Sequence, residues 1–104
     1  MKYVDKSPLF ETGTIRITDS IRNLIKSRPK YATSIENCFV RHSCGDWGNI
    51  SDYDKNLNNR SIIDEKLGIK TNRIFSQYHI GSQTIWIITE RDRSSTTILI
   101  PDDY

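Results

Sequence analysis

Cysteine is scarce in this chain: Cys38 and Cys44 are the only two. That leaves no disulfide framework of the kind small secreted domains depend on. A structural zinc site takes four ligands, usually with cysteines paired two to four residues apart. Here the cysteines stand six apart, with His42 between them and His79 as a distant fourth. The pair therefore reads as small core residues, and no metal or cofactor is expected. No apolar run approaches the ~20 residues needed to cross a bilayer, so no membrane partner is expected. A basic-then-apolar leader is missing before the first polar residues, which makes a reducing cytoplasm the expected home. Neither sign of charge dominates, with 15 basic and 13 acidic residues for a net +2. This is wrong for an acidic DNA mimic and low for a dedicated DNA binder. Neither phosphate-binding glycine loop occurs, nor the zincin or serine-hydrolase signatures. The aromatic positions do not interleave with Lys and Arg on one strand face, so an RNA-binding sheet is not expected. No repeat has a solenoid period.

What is present is enough for one core. Apolar residues make up 36% of the 104 positions, and a chain of this size folds without a staple. Residues 1–8 read as an extended lead-in. Ile15 and Ile17 alternate with Thr14, Arg16 and Thr18, the period of a half-buried strand. Asp19 is placed to cap a helix over 20–27, with Ile21, Leu24 and Ile25 on one face and Pro29 ending it. Thr33 and Glu36 form a T-x-x-E capping box that predicts the start of a second helix. Its stripe runs Ile35, Cys38, Phe39 and His42, and Gly45 stops it. Ser51 to Leu67 predicts a third helix with a less regular stripe of Tyr53, Leu57 and Ile62 or Ile63. Strands follow over 73–80, 84–90 and 95–100, with Gly81-Ser82 as a hairpin turn. The expected fold is α+β over residues 1–104: a strand, three helices, then a three-stranded antiparallel meander with the helices on one face. An open edge beside 95–100 would allow a homodimer.

Several residues carry possible chemistry. Arg22, Lys26, Arg28 and Lys30 lie close together with no acid between Asp19 and Glu36. They suit contact with an acidic partner, or simply a solvated helix end where cations meet the dipole. His42 is expected to face Tyr78 or Trp86. With Glu90 as general base, His42 as general acid and Arg93 on the phosphate, a metal-free phosphodiester cleavage is chemically possible. Against that, a lone His on an apolar helix face is commonly a hydrogen-bonded core residue. Asp46 can cap its own loop. Glu90, Asp92 and Arg93 can pair among themselves, and Trp47 and Trp86 can be core aromatics. A pocket lined by Trp47, Tyr78 and Trp86 would suit a small ligand such as a nucleotide.

Two blocks, Arg41-His42-x-x-Gly45-Asp46-Trp47-Gly48 and Trp86-Ile87-Ile88-Thr89-Glu90-x-Asp92-Arg93-Ser94-x-Thr96-Thr97-Ile98-Leu99, resemble a family of bacterial proteins of about this length. Its members are carried on plasmids, phages and integrative elements. The likeness continues through Asp54, Asn58, Arg73, Ser76, Tyr78, Pro101 and Tyr104, and is loose in the first half. It implies a mobile-element accessory protein in a bacterial cytoplasm and supplies no catalytic residues. The leading expectation is an interaction module that binds a host protein or nucleoprotein complex, as an anti-CRISPR or anti-restriction inhibitor does. A small metal-independent nuclease and a nucleotide binder are the alternatives.

Overall fold

The computed structural model describes residues 7–104; most of the expected lead-in lies outside them. Strand β1 (Thr14–Ile17) is followed by α1 (Asp19–Ser27), α2 (Tyr31–Ser43) and α3 (Asp52–Lys66). The meander of β2 (Ile74–Ile80), β3 (Gln83–Thr89) and β4 (Ser95–Leu99) comes next, then a 3₁₀ turn at Pro101–Asp103. The fold is α+β, with an initial strand, three helices in contact with the sheet, and the antiparallel meander.

The meander pairs as alternation requires, with Tyr78 opposite Ile85 and Ile87 opposite Ile98. Period-two alternation sends Ser76, Tyr78, Ile85, Ile87, Thr96 and Ile98 to one face, where all are buried. There Ile21 of α1 and Ile35 and Cys38 of α2 close the main core. Burial raises the Cys38 thiol pKa, so it packs as a small apolar group. A smaller core of Phe10, Trp47, Ile62 and Ile74 lies toward α3.

Strand β1 adds to β4 in parallel, with Ile17 beside Ile98, giving the order β1-β4-β3-β2. The edge expected beside 95–100 is therefore filled, and a dimer through it is ruled out in this fold. Among the described residues, the open edge is that of the four-residue β1.

Three helix details differ from expectation. Thr18, one residue before Asp19, caps α1 by accepting from the Ile21 amide, and Asp19 pairs with Arg22 instead. Helix α2 begins at Tyr31 and has no side-chain cap. The carbonyls of Arg28 and Pro29 accept from Tyr31 and Ala32, so the helix starts two residues before Thr33 and leaves it inside the first turn, past the capping position. On α3, Ser51 is the cap, but Tyr53 and Ile63 are exposed and the buried residues are Asn58, Ser61 and Ile62.

Asn58 is buried because it does the work of a missing strand. Its amide donates to the Phe75 carbonyl at 2.7 Å and its Oδ1 accepts the Phe75 N–H at 3.1 Å. Further along, Gln77 N–H reaches the Trp47 carbonyl and the Asn49 amide reaches the Gln77 carbonyl. The outer edge of β2 is thereby closed by a helix side chain and a loop. Gly48 makes the loop's approach possible. It sits at φ +73°, and a Cβ there would lie 2.0 Å from the Gln77 carbonyl oxygen. Gly48→Ala is expected to lower stability by at least about 2 kcal/mol. Urea unfolding at unchanged slope checks this; a loss within error of zero would show that the loop does not need its close approach.

Candidate functional site

His42 stands in the last turn of α2, is fully buried, and lies between the rings of Phe10 and Trp47. Its partners come from the strands. Nδ1 is 2.5 Å from Ser76 Oγ on β2, and Nε2 is 2.9 Å from Thr89 Oγ1 on β3. Thr89 Oγ1 is 2.6 Å from Thr96 Oγ1 on β4, and Thr96 donates to the carbonyl of Thr12. That carbonyl can only accept, which orients the whole chain. Thr96 uses its proton on Thr12, so Thr89 donates to Thr96. Thr89 then accepts from His42 Nε2–H, and Ser76 donates to the bare Nδ1. The ring is the neutral Nε2–H tautomer. Burial drives its pKa down to about 3. The partners expected for His42, Tyr78 and Trp86, are replaced by two small hydroxyls.

Arg93 is likewise internal. It sits at φ +63° in the β3–β4 connection and its side chain is enclosed. Nε meets Glu65 Oε1 of α3 at 2.5 Å, and Nη1 donates to the carbonyls of Asn72, Glu90 and Arg91. The other Glu65 oxygen accepts the Glu11 amide. The ionic partner of Arg93 is thus remote Glu65 and not neighbouring Glu90 or Asp92. Asp92 receives the Ser94 amide, and the Glu90 side chain is exposed. His42, Glu90 and Arg93 are not gathered around one open position. Both ring nitrogens of His42 are engaged in the core, and the Arg93 fork is sealed under the hairpin.

The loop after α2 is equally structural. Arg41 grips Asp46 with Nε and Nη2 at 2.8 and 3.2 Å, and its guanidinium lies 4.7 Å from the Tyr78 ring centre. Arg41 holds the Asp46 carboxyl below the usual range, and the Asp46 oxygen also receives the Gly48 amide. Tyr78 OH donates to the Asp46 carbonyl, and burial raises its pKa. Trp47 is buried and donates to Asn59 Oδ1 at 3.0 Å. Trp47 and Tyr78 therefore lie on the helix side of the sheet. Trp86 points to the opposite face, where it contacts Phe75 and Tyr104. The three do not share a pocket.

Two surfaces remain open. Arg22, Lys26, Arg28 and Lys30 are all exposed around the α1–α2 corner. Arg22 is tied to Asp19 at 2.7 Å and Arg28 lies over the Tyr31 ring at 6.0 Å. No ion pair among the described residues involves Lys26, Arg28 or Lys30. The second is the sheet face away from α1 and α2. There two adjoining cavities, about 360 and 440 Å³, share Asp54, Phe75 and Trp86. Arg73 and Tyr104 close one end and Asn49 and Gln77 the other. Of these residues only Trp86 stood out as a site candidate in the sequence. Phe75 and Gln77 were legible as the second face of a strand, but nothing local joins Asp54, Arg73 and Tyr104 to them. A third hollow, about 670 Å³ and as open as the Asn49–Gln77 end of the trough, is lined by Lys70, Glu90, Arg91, Asp92 and Ser94 at the hairpin.

No family model matches the chain, and neither a curated protein nor a solved structure does. No helix among the described residues is long and apolar enough to cross a membrane.

Proposed function

We propose that this protein is a mobile-element accessory protein that acts by binding a host protein or nucleoprotein complex, in the manner of an anti-CRISPR or anti-restriction inhibitor. The observation that supports binding over turnover is the fate of His42 and Arg93. The first is neutral, doubly hydrogen-bonded and out of reach of solvent; the second is locked to Glu65 and three carbonyls. A general acid must reach a substrate proton, and a phosphate clamp needs N–H donors open to solvent, whereas the one unpartnered Arg93 nitrogen, Nη2, is buried. Arg41, His42, Asp46, Thr89, Arg93 and Thr96 of the two resembling blocks support the scaffold, and exposed charge is the means of recognition in this reading. The α1–α2 corner offers three cations outside any of those ion pairs within five positions. It suits an acidic patch on a partner protein, or the phosphates of a nucleoprotein complex.

The test is plasmid establishment in a bacterium with an active restriction or CRISPR system that expresses the protein. Combined Lys26→Glu, Arg28→Glu and Lys30→Glu is expected to reduce protection by about ten-fold or more, through slower association. Glu90→Gln, at an exposed position, is expected to leave protection unchanged. Loss of protection on Glu90→Gln with the reversed corner still protective would favour the nuclease instead.

A further inference from the structure

We propose that the trough on the open sheet face is a nucleotide site, with a guanine base stacked at Trp86 and its phosphate held by Arg73. This goes beyond the reading above, which concerns the opposite side of the molecule. The platform is pre-organised. Trp86 Nε1–H is engaged by Gln77 Oε1 at 2.8 Å. The indole meets Phe75 at 5.2 Å and 89°, and Tyr104 at 5.7 Å and 71°. With its one donor occupied, Trp86 offers an apolar π surface, and it lines both cavities. Together the cavities fall within the range of about 300–1,000 Å³ typical of small-ligand sites.

Two charges complete the match. The Arg73 guanidinium lies 5.4 Å from the Tyr104 ring centre and donates to the Tyr104 hydroxyl, which fixes its position. No ion pair among the described residues uses it. Its remaining N–H groups can grip a phosphate in the paired geometry that guanidinium favours. The Asp54 carboxylate lies on the shared wall and is likewise outside those ion pairs. A carboxylate accepts, so it selects a base edge with adjacent donors. Guanine presents both an N1–H and an amino group, whereas the adenine edge pairs a donor with an acceptor. An extended peptide fits less well. It would need a free strand edge for its backbone, and the β2 edge bordering the trough is closed by Asn58 and residues 47–49.

The chain holds two tryptophans, so Trp47→Phe leaves Trp86 as the only indole reporter. The full chain carrying that change is titrated with guanosine monophosphate, adenosine monophosphate, inorganic phosphate and a guanine-containing single-stranded RNA hexamer. Saturable quenching by the guanine ligands is expected, with the guanine mononucleotide about ten-fold tighter than the adenine one. Arg73→Gln should weaken binding about ten-fold and flatten its salt dependence. Asp54→Asn should bring the two mononucleotides together. Tighter binding of the hexamer would identify a strand as the source, and equal binding the free nucleotide. The proposal is overturned if the folded protein shows no saturable response to either guanine ligand at millimolar concentration. It is also overturned if Arg73→Gln leaves the affinity unchanged, or if adenine binds as well as guanine. If Trp47→Phe fails to fold, the same titration on the native chain followed by Trp86 indole N–H resonance decides.

Discussion

Replacing His42 with alanine is expected to lower the unfolding free energy by about 3–4 kcal/mol, a large share of what a domain of this size holds. The ring fills a closed position between Phe10 and Trp47, so its removal leaves a cavity. Ser76 and Thr89 each lose a partner, and both are fully buried. The expected fall in melting temperature is roughly 15–25 °C. The same residue makes the fold acid-sensitive. In the unfolded chain a histidine titrates near 6.5, while folded His42 is held at about 3 by burial. Between those values the unfolded state binds a proton that the native state does not. Stability is therefore complete above about pH 7 and falls as pH drops through 6.5 toward 3, at up to about 1.4 kcal/mol per pH unit. Asp46 and Asp103, whose pKa values are lowered by their hydrogen bonds, add losses only as pH falls below about 4. Urea unfolding between about pH 6 and 4.5 thus isolates His42, and His42→Gln is expected to flatten the curve there. Equal slopes for the two proteins would show that another group carries the acid response.

Arg93→Met is expected to cost about 3–5 kcal/mol, because it leaves Glu65 and three carbonyls without their cation. Arg93→Lys should recover less than half of the loss. A single ammonium cannot span acceptors on α3, on the segment before β2 and within the hairpin. Glu65→Gln should cost less, since its single amide oxygen can still accept from Arg93 Nε and only the Glu11 N–H loses its acceptor. The double variant Arg93→Met with Glu65→Gln is expected to be milder than the sum of the two, with a coupling of at least about 1 kcal/mol. Additive losses in denaturant unfolding would mean that the buried pair is not a unit.

Both residues show what the chain makes legible. The helix stripe Ile35, Cys38, His42 is local and periodic, and it placed His42 in the core correctly. Its partners Ser76 and Thr89 lie on strands far along the chain, and no pattern in the sequence points from one to the other. Arg93 looked like a partner for Glu90 and Asp92 because they are neighbours. The backbone turns at Arg93 through positive φ and carries the side chain toward Glu65. Helix α3 was the hardest to read, since Asn58 is buried for its amide geometry and Tyr53 and Ile63 face outward. Apolar periodicity has no means of recording a side chain that substitutes for a strand.

The element order and the hairpin turn at Gly81-Ser82 follow from the sequence alone, because alternation of period two, stripes at i, i+3 and i+4 and turn residues are properties of neighbouring residues. Tertiary structure decided where β1 pairs, that the resembling blocks meet in one buried hydrogen-bond chain, and that Asp54, Arg73, Trp86 and Tyr104 share a trough. Those outcomes depend on which distant surfaces can be desolvated together with the buried donors and acceptors matched, as they are here save for Ser61 Oγ and Arg93 Nη2 among the described side chains. That condition is met only by the assembled fold.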